Sequence, residues 1–540
     1  MLRRRATPTL LILAGALVML LPAYLSGRPF VFYDTWEFYM WGRDVLAAFS
    51  NPWPHAGPFP VGRELWASDV VASPPAIVDE RLFRLILSTK GSRSAFYAVP
   101  LYLATFMWVA AVVQALIVSA TLYVVVRATG WKNQPVAFMT AVIFLTTSTT
   151  MPFFAAFMMP DIFTPLCALA SGLLIFYRDR LSVAARCGLS MLVVYAVAVH
   201  TSNLPLMIVA VVTGFLLNRL RSSTRDSYRA VTPIGGLLVA GLAVLVTGNF
   251  ALRTVFGRPA QNPPFILGRV ISDGPGAAYL RDACRQPVYV SCELVPPESK
   301  IALYQEAFMW PFVGEVPFSP RIDPDRREAF YAEAWPIILG TLRRDPLGLV
   351  RASLRNAFHQ LTMFKIRPEM DYALPETLRS PWRRAAITAA ITPNVEVCQA
   401  GDGSNCNQLL RGRQWRMLQL WQHFVIACAG LLVLYRVVPV FARRTWSSFG
   451  RDRLFAMFTL CLVVANGVIC GILSGPYHRY QARIVWLVPV AALVVEGGCG
   501  WLTGRFAERP VRSVSTAPTR SPTGAACAPE SGRRRPAAAS

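Results

Sequence analysis

Charge is what this sequence has least of: Asp, Glu, Lys and Arg make up 16% of its 540 residues, against about 25% in an ordinary soluble domain. Histidine is rarer still, with five residues. No internal repeat is present, and no low-complexity stretch precedes residue 505. These shortages exclude a charged soluble globule and a repeat architecture. A zinc site is missing too, because the cysteine pairs Cys284/Cys292 and Cys398/Cys406 have no second close ligand at metal-binding spacing. What is abundant is apolar surface: hydrophobic residues are 54% of the chain and the mean hydropathy is positive. The fold class expected is an all-α polytopic membrane protein, whose first partner is the lipid bilayer. The formal charge of +24 does not imply nucleic acid, since a basic membrane protein gathers its arginines in loops on one face.

Apolar runs able to cross a ~30 Å hydrocarbon core lie near 9–25, 101–126, 136–153, 162–177, 187–200, 204–218, 233–251, 416–435, 454–473 and 484–502. The first follows Met1-Leu2-Arg3-Arg4-Arg5. It reads as a signal anchor rather than a cleaved leader, because Tyr24-Leu25-Ser26 is a poor small-x-small cleavage site. About ten transmembrane helices are therefore expected, and the positive-inside rule tests their threading. With Arg3–Arg5 inside, alternation also places inside Arg127 and Lys132, Arg178 to Arg186, Arg219 to Arg229, Arg443 to Arg453 and the tail with Arg533–Arg535. Both termini are then cytoplasmic, in a bacterial inner membrane.

The opposite, periplasmic face holds the loop 27–98, the turns 154–161, 200–203 and 475–483, and a large insertion at 253–414. The domain reading is a transmembrane module over 1–252, the insertion, C-terminal transmembrane helices over 415–504, and a disordered basic tail over 505–540. An oxidising periplasm suits local disulfides Cys284–Cys292 and Cys398–Cys406. Within the insertion, helices are expected over 326–342 and 346–361, divided at Arg344-Asp345-Pro346. Leu347, Leu349, Val350, Leu354 and Phe358 recur at helical spacing and are expected to pack onto the membrane domain.

Four polar groups fall on the periplasmic face. Asp34 and Glu37, in Tyr33-Asp34-Thr35-Trp36-Glu37, share a helix face at a separation of three. They fit a general base with an anchor for a metal or phosphate, and equally an N-cap with its capping-box partner. Asp161, in Met158-Met159-Pro160-Asp161, is either a helix cap or an acid facing a cavity. His200 stands in Val199-His200-Thr201-Ser202-Asn203, where a structural role is the bland alternative. In Tyr477-His478-Arg479-Tyr480-Gln481-Ala482-Arg483, two guanidiniums four residues apart suit a phosphate or snorkel to ordinary lipid headgroups.

Over residues 1–220 and 454–502 the pattern resembles the GT-C class of membrane glycosyltransferases, among them the protein mannosyltransferase-like and aminoarabinose transferase-like families. Asp34 and Glu37 match the acidic motif of the first exported loop, Asp161 matches the second acid, and Arg479-Tyr480 ahead of Pro489 matches the Arg-Tyr ending. The insertion is similar to that of uncharacterised bacterial membrane proteins. The resemblance implies transfer of a sugar from a polyprenyl-phosphate donor to a periplasmic lipid, glycan or protein acceptor. Asp34 is then the base, Glu37 and Asp161 position the acceptor or a divalent ion, and His478, Arg479, Tyr480 and Arg483 bind substrate phosphate with His200 behind them. The alternative is a non-catalytic scaffold or a transporter for lipid-linked glycans. The scarcity of ionisable residues within the spans argues against the transporter.

Overall fold

In a computed structural model of the chain, the residues described are 2–50, 91–293 apart from 105, 258 and 287, 324–366, 412–442 and 450–497. Every named element among them is a helix, the form in which a chain can satisfy its own backbone groups without water. The first apolar run forms α1 (Leu2–Met19) and α2 (Leu21–Leu25), with Pro22 at the break. α3 (Tyr33–Ser50), α4 (Ala95–Leu103), α5 (Met107–Thr129), α6 (Gln134–Ser148) and α7 (Met151–Ala155) follow. Then come α8 (Phe163–Phe176), α9 (Val183–Val199), α10 (Asn203–Arg219) and α11 (Thr224–Phe256). The insertion contributes α12 (Phe265–Ser272), α13 (Pro275–Ala283), α14 (Pro324–Ala332), α15 (Ala334–Arg344) and α16 (Pro346–Thr362). α17 (Gly412–Ala442), α18 (Arg451–Leu473), α19 (His478–Val485) and α20 (Leu487–Val495) complete the series.

Among the described residues, four helices are long and apolar enough to cross a membrane: α5, α11, the Arg413–Pro439 stretch of α17, and α18. α6, α9, α10 and the apolar parts of α1 and α8 are shorter. A 17-residue helix such as α9 rises only about 26 Å at 1.5 Å per residue. The last expected span is broken at Trp486 into α19 and α20. Helix thus occupies each of the ten expected apolar runs, but four of these helices among the described residues have spanning length.

α8 is the axis of the packing, since all fourteen of its residues are buried, and it lies against α9, α10 and α18. Gly172 allows a close approach to α18, because a Cβ there would meet the Phe455 ring at 2.8 Å. By contrast α11 and α17 are mostly exposed over their apolar stretches, as helices facing lipid should be.

The insertion has a small core of its own, in which Leu267, Ile271, Leu280, Phe330 and Ile337 pack together beside the Cys284–Cys292 disulfide. The second expected disulfide, Cys398–Cys406, and the tail 505–540 lie outside the described residues. Gly274, with φ of +107°, makes the turn between α12 and α13. Two expectations for the insertion need correction. The helix expected over 326–342 is divided at Glu333 into α14 and α15, because Pro336 has no N–H to give to the carbonyl of Ala332. Four of the apolar residues expected to pack onto the membrane domain do not: Leu347, Val350, Leu354 and Phe358 are exposed, while Leu349 is half-buried. The buried face of α16 is instead Ala352, Asn356, Ala357 and Gln360.

Candidate functional site

The site is assembled by a short extended pairing that brings the first loop to the turn before α8. Phe30 N–H donates to Ala156 O at 3.0 Å and Met158 N–H donates to Phe30 O at 2.9 Å, forming an isolated parallel bridge between Phe30 and Phe157. The carbonyl of Phe157 also accepts from the buried Gln114 of α5 at 3.0 Å, which gives that mid-helix amide a structural role. Thr35 completes the joint. Its hydroxyl accepts from Phe32 N–H at 2.9 Å and donates to Met158 O at 3.1 Å.

This arrangement corrects the capping reading of Asp34. α3 begins at Tyr33, so Asp34 lies within the helix rather than ahead of it, and the Phe32 N–H at its start is satisfied by Thr35. Asp34 is left to face other segments of the chain: its Oδ1 accepts from Arg93 Nη2 at 2.6 Å, and its Oδ2 lies 3.6 Å from Arg479 Nη1. Asp161 is not a cap either, since the turn Pro160–Ile162 and α8 have no side-chain cap. Its Oδ1 accepts from Arg483 Nη1 at 3.1 Å and lies 3.9 Å from Arg479 Nε. Arg479 thus bridges the two carboxylates.

The cluster has two depths. Asp34, Arg93 and Arg479 keep 10–13% of their side-chain surface exposed, whereas Asp161 and Arg483 keep 1% and 0%. In the inner layer, Arg483 also donates to His200 Nε2 at 3.0 Å, Ser202 Oγ at 3.1 Å and Asn466 Oδ1 at 3.1 Å. Four of its five donors are committed to the protein, and Nε is buried without a partner, as is Asp161 Oδ2. Removing one partner from such a buried pair typically costs about 3–5 kcal/mol.

His200 ends α9. A guanidinium can only donate, so Nε2 accepts from Arg483, while Nδ1 faces Ser202, 2.8 Å from its Oγ and 3.3 Å from its backbone N. Although the residue is half-buried overall, its ring nitrogens point inward. Their burial, and then the adjacent Arg483 charge, hold the imidazole well below the usual histidine range. His200 is therefore a neutral prop for Arg483.

The remaining expected residues divide. Tyr480 belongs to the cluster, its ring standing 5.4 Å from the Arg479 guanidinium carbon and 5.3 Å from that of Arg483. Phe32 stacks on Arg479 from another side at 4.5 Å. His478 turns away: its Nδ1 accepts from Lys365 N–H at 3.1 Å, in the segment after α16. Glu37 stands one helical turn beyond Asp34, half-buried.

Arg93, Asn466 and Ser202 were not foreseen. Arg93 precedes the Ser94 cap of α4, and Ser94 Oγ donates to Ala198 O at 2.7 Å, which brings the first loop beside the end of α9. Arg93 is one of several basic residues in the loop 27–98 and nothing in the sequence singled it out, whereas an amide within the apolar run 454–473 was the available signal for Asn466.

The donor set does not fit a divalent cation, because two carboxylates already face three guanidiniums. Among the described residues no group of three or more His, Cys, Asp and Glu side chains could hold a metal. The cluster holds more guanidiniums than carboxylates. Neither protein-family models, curated proteins nor solved structures give a match to the chain.

Proposed function

We propose that the protein is a membrane glycosyltransferase that moves a sugar from a polyprenyl-phosphate carrier to a hydroxyl on a lipid, glycan or protein acceptor at the exported face. Ten membrane-crossing segments, with the arginine-rich loops cytoplasmic, carry the cluster at the outer surface. The observation that carries the proposal is convergence: Asp34, Arg93, Asp161, His200 and the pair Arg479 and Arg483 on α19 are drawn from distant stretches of the chain into one network of hydrogen bonds and ion pairs.

The two layers suggest a division of labour. With His200 neutral, three guanidiniums oppose two carboxylates, and the excess positive charge suits a phosphate. Arg479 and Arg93, in the accessible layer, are placed to hold the phosphate, whose charge grows as the glycosidic bond breaks. Arg483 is fully enclosed and supports Asp161 and Arg479 from beneath, rather than contacting phosphate itself. In the transfer step the acceptor oxygen bonds to the anomeric carbon. The bond from that carbon to the phosphate oxygen breaks and its electron pair leaves with the phosphate, while the hydroxyl proton passes to Asp34. Phosphate binding to Arg93 would release Asp34 Oδ1 from its ion pair for this task.

The test is transfer from radiolabelled polyprenyl-phosphate sugars in membranes carrying the wild type or Asp34→Asn. Asp34→Asn is expected to lower turnover by about 10²- to 10⁴-fold, with insertion and unfolding midpoint unchanged. Full activity in this variant overturns the assignment of the base. If no donor gives Asp34-dependent transfer, the cluster is an ionic clamp in a scaffold.

A further inference from the structure

α16 is not a spanning helix, yet it carries an apolar stripe outward. Leu347, Val350, Leu354 and Phe358 are 80%, 54%, 65% and 72% exposed, and their spacings of three, four and four residues place them along one line of the helix. On α15, Trp335, Leu339 and Leu342 are exposed in the same way. Asp345 joins the two helices, its side chain capping α16 by accepting from Gly348 N–H at 2.8 Å.

The level of this stripe is fixed by what lies behind it. The inner face of α16 crosses the final turns of α18: Asn356 and Ala357 press on Gly471, and Leu361 on Gly467. α18 is a helix of membrane-spanning length ending at Leu473, at the end opposite the cytoplasmic Arg451. Gln360 adds a reciprocal amide pair with the backbone of Tyr477, at 2.8 and 2.9 Å. α16 therefore sits where α18 leaves the hydrocarbon.

Its charges suit the same boundary. Arg351, Arg355 and His359 recur every four residues beside the apolar stripe and are exposed, and Arg343 extends this edge on α15. Arg355 also reaches Asp273 at 3.8 Å. A helix with an apolar face, an arginine-rich edge and a bilayer-level anchor has the pattern of one lying in the membrane interface.

We infer that α15 and α16 form an interfacial foot: the apolar stripe sinks into the outer leaflet, and Arg343, Arg351 and Arg355 meet anionic phospholipid headgroups. Through Gln360 and Tyr477 the foot connects to Arg479, so the lipid surface is in contact with the element that carries the site. This inference rests on the membrane placement alone and not on the transferase reading.

Photocrosslinking tests it without any activity assay. Leu354 and Phe358 are each replaced by p-benzoylphenylalanine in the full chain, with exposed Arg285 replaced as control. Each protein is reconstituted in vesicles of phosphatidylethanolamine and phosphatidylglycerol, irradiated and analysed by mass spectrometry. Lipid adducts are expected at 354 and 358 in several-fold excess over 285. Adding Arg351→Glu and Arg355→Glu is expected to reduce the yield, by up to about fivefold for each arginine removed. Adducts to a second copy of the chain, adducts to another of its segments, or a lipid yield no higher than at 285 would overturn the foot.

Discussion

At the scale of single residues, the most instructive side chain is His200. Its Nε2 accepts from Arg483 and its Nδ1 faces Ser202, so protonating Nε2 would place an N–H against a guanidinium. Unfolded histidine titrates near 6.5, whereas the folded ring titrates below it. Between the two values the unfolded chain binds more protons than the folded one. The stability His200 confers is thus complete above about pH 6.5 and is lost as pH falls toward the folded value. His200→Gln retains an acceptor for Arg483 and a donor for Ser202 but cannot titrate. Unfolding midpoints in detergent, followed from about pH 7.5 to about 4.5, are expected to fall less steeply for His200→Gln than for the wild type. Parallel curves would mean that the acid sensitivity lies elsewhere.

At the scale of elements, the decisive joints are close approaches that only small residues permit. A Cβ on Gly471 would lie 2.7 Å from Asn356 O and 2.9 Å from Ala357 Cα. The neighbours are backbone atoms and cannot rotate aside. Gly471→Val is expected to lift α16 from α18, costing on the order of 1–3 kcal/mol as an overpacked joint and releasing the Gln360 clamp on Tyr477. Hydrogen exchange across residues 477–485 would then quicken while α8 stays protected. Unchanged exchange in 477–485 would show that α16 does not brace the segment bearing Arg479. Thr35 works at the same scale, since one hydroxyl caps α3 and ties it to the turn before α8, and this fixes where Asp34 points.

At the scale of the whole molecule, topology rests on charge. The loop ends bearing Asp179 and Arg451 are joined by an ion pair at 2.7 Å, and Arg436 pairs with Glu496 across α17 and α20. These contacts lie at the ends of the bundle remote from Asp34 and Arg479. Alkaline phosphatase fused after Ser222 is expected to be inactive, and fused after Gly475 active, because the enzyme folds only on the exported side. The reverse pattern would invert the membrane placement and move the cluster to the cytoplasm.

Legible in the residues alone were the helical class, the gathering of the polar turns at one place, and the identity of five cluster members: Asp34, Asp161, His200, Arg479 and Arg483. Those properties follow from composition, apolar run length and arginine bias, all of which are additive along the chain. It also placed Cys284 beside Cys292, where the bridge is local. It could not say which carboxylate caps a helix and which meets an arginine, because that depends on Thr35 pairing with a turn more than a hundred residues away. Nor could it distinguish Arg479, partly exposed, from Arg483, wholly enclosed, since four-residue spacing is the same for both. Arg93 joined the site, His478 left it, and the apolar stripe of α16 turned outward, each for the same reason. The partner of a polar or amphipathic side chain is chosen by packing between segments remote in sequence, and only the tertiary structure brings those segments together.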